Sequence, residues 1–208
     1  MSARRIAGAI LAGGRGERIG GAKAMRLLLA DPMIEHVANV LRPAVDGLAV
    51  VGDLQAAETI DAIHLHDETD DQQGPLAGVL SALEWAAREA VEWLVIVPCD
   101  VPLLPPDIVE QLLDAAVRSC APVAYAQTSS GRHPLVSVWR AELALPLRSA
   151  MASGHPAVWG VLGGFGAVGV RFDDDRGFLN VNTPADLAEA EELLLERSRA
   201  PLRQLLRS

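Results

Sequence analysis

A chain of 208 residues, half of them hydrophobic, can bury a substantial core without disulfide or metal staples, and 18 glycines and 13 prolines suit a globular protein. The formal charge of −9 excludes general affinity for nucleic acid, which needs a basic face, so any phosphate ligand must be drawn by local cations or a metal. Cys99 and Cys120 form no C-x-x-C pair, no apolar run is long enough to span a membrane, and the strand pattern starting at Ile6 leaves no room for a signal peptide. A cytoplasmic protein without disulfide framework, zinc site or membrane anchor is expected.

Ile6 to Ala12 is a continuous apolar run that reads as a buried strand. It empties into Gly13-Gly14-Arg15-Gly16-Glu17-Arg18-Ile19-Gly20-Gly21-Ala22-Lys23, five glycines interleaved with three cations. Helical spacing at Met33, Ile34, Val37, Val40 and Leu41 predicts a helix stopped by Pro43. Strands follow at Gly47–Val51 and Ile63–Leu65, with a short helix, Ala56–Ile60, between them. An acidic loop, Asp67-Glu68-Thr69-Asp70-Asp71-Gln72-Gln73, closes on Gly74-Pro75-Leu76-Ala77-Gly78 and a helix from Leu76 to Arg88. Trp93–Val97 has the uninterrupted apolar character of a central parallel strand covered on both faces, and it ends in Pro98-Cys99-Asp100-Val101-Pro102. Next come a helix over Pro106–Val117 with Asp107 in its first turn, and strands at Pro122–Gln127 and Leu135–Trp139. Helices at Ala141–Met151 and Ala157–Leu162 and a strand at Val168–Phe172 complete the middle of the chain. Thr183-Pro184-Ala185-Asp186 reads as the cap, first and third positions of a last helix reaching about Arg197. Residues 198–208 are then a frayed tail of one domain spanning 1–208.

Alternating strands and helices with short connections predict a three-layer α/β/α fold with a mostly parallel sheet, in which ligands bind beyond the carboxyl ends of the strands. The glycine loop, the acidic loop and Pro98-Cys99-Asp100 all follow strands, so they converge on one rim. Glycines let a backbone approach a ligand closely, and exposed N–H groups with fixed cations suit a polyphosphate. Two common phosphate motifs fail. Gly16 and Gly21 have the Walker spacing, but Ala22 stands where lysine belongs and Ala24 follows Lys23; the dinucleotide fingerprint breaks at Ile19.

Leu11-Ala12-Gly13-Gly14-Arg15-Gly16-Glu17-Arg18-Ile19-Gly20, with Lys23 after it, resembles L-A-G-G-x-G-x-R-M-G-x-x-K, the opening signature of nucleotidyltransferases related to sugar-nucleotide pyrophosphorylases. Four further segments resemble one branch, the molybdenum cofactor guanylyltransferases (MobA): Pro32-Met33-Ile34-Glu35-His36-Val37, Gly74-Pro75-Leu76-Ala77-Gly78, Pro98-Cys99-Asp100-Val101-Pro102 and Asn180-Val181-Asn182-Thr183-Pro184. His133-Pro134 lies where that family keeps a His-Pro pair, and the likeness spans roughly residues 6 to 192.

The resemblance implies a Rossmann-like nucleotidyltransferase fold and a reaction of GTP with molybdopterin cofactor, giving the guanine dinucleotide form and pyrophosphate. It implies Mg²⁺ held by Asp100, with Lys23 contacting the phosphates and offsetting charge on the leaving pyrophosphate. Leu11, Ala12, Gly13 and Gly14 would bind the nucleotide, the first three by main-chain contacts to guanine and ribose, and Asp67 matches the family's nucleotide-binding aspartate. The product would pass to molybdoenzyme-maturation proteins. A hard cation tolerates few protein ligands, so one aspartate at a strand end can start a metal site; the other reading of Asp100 is a turn residue before Pro102. Asn182 fits either the metal or acceptor phosphate or a turn before the Thr183 cap, and His133 either the acceptor pterin or a structural turn. Cys99 reads as a small buried residue, and His64, His66, Trp85, Trp93 and Trp139 as core or surface residues. Val50-Val51-Gly52-Asp53 departs from the asparagine-containing strand end of the family, and Ala30 stands where glycine is frequent. The departure leaves a cytidylyltransferase or a sugar-phosphate nucleotidyltransferase as alternatives within the same chemistry. A non-catalytic cofactor-delivery protein is the alternative outside it, against which the intact Lys23 and Asp100 argue.

Overall fold

The computed structural model describes residues 4–13, 23–66, 74–154 and 156–205, with side chains up to residue 199. In chain order its elements begin with β1 (Ile6–Leu11), a 3-10 turn (Lys23–Met25), the small hairpin of β2 (Leu27–Leu28) and β3 (Asp31–Pro32), and α1 (Met33–Leu41). They continue with β4 (Gly47–Val51), α2 (Leu54–Thr59), β5 (Ile63–Leu65), α3 (Pro75–Arg88), β6 (Trp93–Pro98) and α4 (Ile108–Arg118). The second half holds β7 (Val123–Gln127), β8 (Arg132–Arg140), α5 (Ala144–Ala152), α6 (Val158–Gly164), β9 (Val168–Arg171), a 3-10 turn (Asp175–Phe178) and α7 (Pro184–Leu205).

Seven strands form one sheet in the order β5-β4-β1-β6-β8-β7-β9. Every neighbouring pair is parallel except those of β8, which runs antiparallel to both β6 and β7. Period-two alternation along β6 explains the layers. Trp93, Val95 and Val97 enter a core shared with Ile34, Val37 and Leu41 of α1 and with Ile108 and Leu112 of α4. Leu94 and Ile96 enter the opposite core, closed by Leu76, Val79 and Leu83 of α3, Leu147 of α5 and Val161 of α6. A strand buried on both faces must be apolar at every position, which is why β6 is the plainest strand in the sequence. The expected three-layer, mostly parallel architecture is therefore present. From β1 the chain builds outward through β4 and β5 on one side, then returns to β6 on the other side, so the topological switch point lies between β1 and β6.

Several elements differ from expectation. Helix α2 starts two residues early, at Leu54, where Asp53 caps it by accepting from the Ala56 N–H, and the helix expected from Ala141 opens as a 3-10 turn over Ala141–Leu143. The β2–β3 hairpin is too short for any periodicity to register, and its turn holds Leu29 at a φ of 58°. Helix α4 starts two residues late: Asp107 precedes it and its carboxylate accepts from the Gln111 amide at 2.8 Å instead of capping a backbone N–H. Strand β8 begins at Arg132, because Thr128–Gly131 is a tight turn in which the Thr128 N–H donates to the Gly131 carbonyl at 2.8 Å. Helix α7 runs on from Arg197 to Leu205 through the expected tail. Ser198 does not end it, since its hydroxyl turns back on the Leu194 carbonyl at 2.9 Å, and good helix formers follow Pro201.

Candidate active site

The switch point brings the ends of three strands together. Leu11 pairs with Val51 on one side and Pro98 on the other. Beyond the ladder, the Ala12 N–H donates to the Val51 carbonyl at 2.9 Å and the Cys99 N–H to the Leu11 carbonyl at 3.0 Å. Asp100 follows directly. Its carbonyl accepts from the Val181 N–H at 2.8 Å, which fastens the Asn180–Asn182 segment beside it. Lys23 arrives from the far end of the glycine loop and is placed by its neighbour Ala24, buried against α1 and α2.

The Lys23 ammonium donates to Asp100 Oδ2 at 2.5 Å and to Asn182 Oδ1 at 2.5 Å. The Asn182 amide is itself oriented, because its Nδ2 donates to Asn180 Oδ1 at 2.9 Å. Its backbone is held from the helix side: the Asn182 and Thr183 N–H groups both donate to Asp186 Oδ2 at 2.8 Å, while the Asp186 N–H donates to Thr183 Oγ1 at 3.2 Å. This is a capping box at the start of α7, and the last helix thereby aims Asn182 at Lys23. The two N–H donors lower the Asp186 pKa below the usual aspartate value.

Asp100 retains one buried oxygen, Oδ1, with no hydrogen-bond partner. Among the described residues no three His, Cys, Asp or Glu side chains cluster as a metal site. Mg²⁺ needs no such cluster, since it keeps waters and takes substrate phosphates beside one or two carboxylates. The donor set around Asp100 therefore fits that ion.

Gly52 lies against the first residue of the glycine loop. It lies at a φ of +98°, and a Cβ there would stand 2.9 Å from Gly13 Cα and 3.0 Å from Gly13 N. No side chain fits without moving the glycine loop's first residue. Gly78 has a parallel role in α3, where a Cβ would come within 3.3 Å of the Leu11 side chain. Gly52→Ala is expected to cost roughly 1–3 kcal/mol of stability through the strained φ. It should also raise the KM for nucleotide with little change in kcat; a melting curve and steady-state kinetics check the two effects.

Burial pushes the Cys99 thiol up to about 12, with the Asp100 charge adding to the shift, so Cys99 stays protonated as a small core residue. His133 lies on β8, its ring stacked on Phe178 at 4.7 Å and its Nε2 in a 3.1 Å hydrogen bond with Thr128 Oγ1. It is a packing residue. Burial lowers its pKa below 6.5 despite the opposing charge of Asp175. The unfolded chain then binds the proton more readily, so the stabilisation is complete above about pH 6.5 and is lost as pH falls through the folded-state pKa. Melting temperatures should decline as pH falls below about 6.5, and His133→Phe should flatten that slope; the lowered Asp175 and Asp186 act only below about pH 4.

Of the residues expected at the site, Lys23 and Asp100 meet directly, and Leu11, Ala12 and Gly13 line the β1 end beside them. Gly14, Asp67, Asp70, Asp71, Arg15 and Arg18 lie outside the described residues. Trp85, Trp93 and Trp139 are core residues. Asn182 occupies the turn before the Thr183 cap, as one of its two readings had it, and also contacts Lys23, a partner the sequence did not suggest; Asn180 stood out only within the family-like motif and Asp186 only as the third position of the last helix. The signal available for them was the two asparagines one residue apart ahead of a Thr-Pro cap.

The family model for the MobA-like NTP transferase domain matches residues 8–163. A molybdenum cofactor guanylyltransferase from Cereibacter sphaeroides is 39% identical over 193 residues, covering 91% of this chain and 97% of its own. One from Histophilus somni is 33% identical over 195 residues, covering 92% and 98%. The crystal structure of molybdopterin-guanine dinucleotide biosynthesis protein A from Archaeoglobus fulgidus superposes with a TM-score of 0.73 at 26% identity, covering 91% of this chain and 99% of that one. Shared length, shared fold and a lysine–aspartate pair at the switch point agree: the chain belongs to the MobA-like NTP transferase family.

Proposed function

We propose that this protein transfers GMP from GTP to the terminal phosphate of molybdopterin, forming the guanine dinucleotide cofactor and pyrophosphate. The observation that carries the reading is the meeting of Lys23, Asp100 and Asn182 at the β1/β6 switch point, beside a glycine loop, in a chain of this family. An oxygen of the acceptor's terminal phosphate attacks the α-phosphorus of GTP, and the bond from that phosphorus to the β-phosphate bridging oxygen breaks in line with it. The electron pair leaves on pyrophosphate, and no covalent enzyme intermediate is needed. Such chemistry is driven by positioning and charge neutralisation.

The roles divide by element. Leu11, Ala12 and Gly13 carry the nucleoside on the β1 side, with Gly14 and Asp67 assigned to the nucleotide on the family pattern. Asp100 would hold a Mg²⁺ that supplies Lewis-acid neutralisation of the phosphate oxygens. Lys23 turns from its carboxylate to the leaving pyrophosphate, and Asn182, fixed through Asn180 and Asp186, holds the ammonium in range. The dinucleotide product would be handed to proteins that mature molybdoenzymes. Among the described residues no helix is long and apolar enough to cross a membrane. The test is incubation with molybdopterin and GTP labelled at either the α- or the γ-phosphorus. Label is expected in the dinucleotide from the first and in pyrophosphate from the second; release of orthophosphate from γ-labelled GTP would refute the reading.

A further inference from the structure

The carboxyl-end rim continues past Asp100, away from the glycine loop, and there it carries an aromatic surface that the phosphate chemistry leaves unused. Strand β8 pairs with β6 in antiparallel register, Trp93 opposite Arg140 and Ile96 opposite Ser137. Its first residue, Arg132, therefore lies at the end of β6 that bears Asp100. The Arg132 guanidinium sits 5.4 Å from the ring centroid of Trp159, in the first turn of α6. Tyr125 of β7 meets the same ring edge-on at 5.4 Å. Trp159 is 41% exposed, although the other tryptophans named above are all buried.

A second arginine–tryptophan pair on the same strand shows what is unusual. Arg140 lies 4.3 Å over Trp93, but Trp93 is 1% exposed and Arg140 donates to Glu92 Oε1 at 2.7 Å. That pair is covered and neutralised. Arg132 is exposed and, among the described residues, has neither carboxylate nor hydrogen-bond partner. A part-exposed indole and an uncompensated cation thus lie together on the rim. The shelf also shares a frame with the reacting centre. Asp175 accepts from the Ser129 hydroxyl and from the Ser130 N–H at 3.3 Å, which ties the β7–β8 turn to the 3-10 turn leading into Asn180–Asn182.

We propose that Trp159 and Arg132 form the subsite for the planar pterin of the acceptor, a statement that rests on the GMP-transfer reading. A ring laid on Trp159 regains apolar and dispersive contact, and Arg132 offers a cation to the acceptor's oxygens. The guanine of GTP is the other planar ring in the reaction, but the GMP-transfer reading puts it on the main chain of Leu11–Gly13, and β1 lies on the opposite side of β6 from β8.

Steady-state kinetics with molybdopterin varied at saturating GTP test this. Trp159→Ala is expected to raise the acceptor KM about tenfold, the size typical of a lost base–aromatic stack, with kcat and GTP affinity little changed. Trp159→Phe should restore most of the loss. Arg132→Gln should raise the acceptor KM several-fold, by a factor that shrinks with added salt. An unchanged acceptor KM in Trp159→Ala and Arg132→Gln, or a Trp159→Ala that weakens GTP as much as acceptor, would overturn the assignment while leaving GMP transfer intact. A wild-type protein that transfers nothing to molybdopterin would instead remove the transfer reading and the shelf with it.

Discussion

Asp100→Ala is expected to lower kcat for GMP transfer by about a thousandfold or more, with the fold retained. The carboxylate has two oxygens with different tasks: Oδ2 accepts from Lys23, and Oδ1 is buried with no partner, which leaves it available to a cation. Side-chain exposures of 18% for Asp100 and 17% for Lys23 place this ion pair between the exposed and buried classes. Its loss should cost roughly 1–3 kcal/mol of stability. A thousandfold in rate is about 4 kcal/mol of lost transition-state stabilisation, so the catalytic deficit exceeds the structural one. The sign of the binding effect separates the two further. Removing a negative charge from the phosphate site should leave metal-free GTP affinity unchanged or improved, whereas a collapsed site would bind nothing. Melting curves, metal-free GTP titration and single-turnover rates on the same preparation check all three.

Lys23→Met should lower kcat about a hundred- to a thousandfold and also raise the KM for GTP. In the ligand-free protein the ammonium is shared between Asp100 and Asn182, so without it two acceptors face an incoming polyphosphate uncompensated. Lys23→Arg should not rescue the variant, because a planar fork differs from a point charge and the carboxylate and amide approach the ammonium at 2.5 Å each. Since Lys23 and Asp100 act on the same phosphates, the double variant should be little worse than Asp100→Ala alone; a fully multiplicative loss would show that they act independently.

The strands and helices that position this pair were legible where apolar periodicity was uninterrupted. Helix α1 was expected at its observed limits, Met33–Leu41, because its spacing is regular and Pro43 follows closely. Strands β4 and β5 were too. The start of β8 was hidden because Arg132-His133-Pro134 extends past the core to the rim and pairs through only two residues beyond a bulge at Tyr125/Ala126. Local pattern carries no signal for such a segment. The site divides in the same way. Lys23 and Asp100 stood out by residue type and by their places after strands, but their contact spans 77 positions and that of Lys23 with Asn182 spans 159. Periodicity cannot bring such residues together; only the strand order does. Gly52 stood in the sequence only as part of a departure from the expected pattern, and what the structure adds is that the Gly13 backbone leaves no space there for a side chain.

Base selection is the point to measure, because Gly52-Asp53 follow β4 where the resemblance leads to an asparagine. The direct measurement is pyrophosphate release from ATP, CTP, GTP and UTP in parallel, each with molybdopterin and Mg²⁺, with the dinucleotide product identified by mass. GTP alone is expected to yield pyrophosphate and a molybdopterin guanine dinucleotide in equal amounts, and omitting molybdopterin should stop both. Product from CTP in place of GTP, or turnover with all four nucleotides alike, would contradict that expectation.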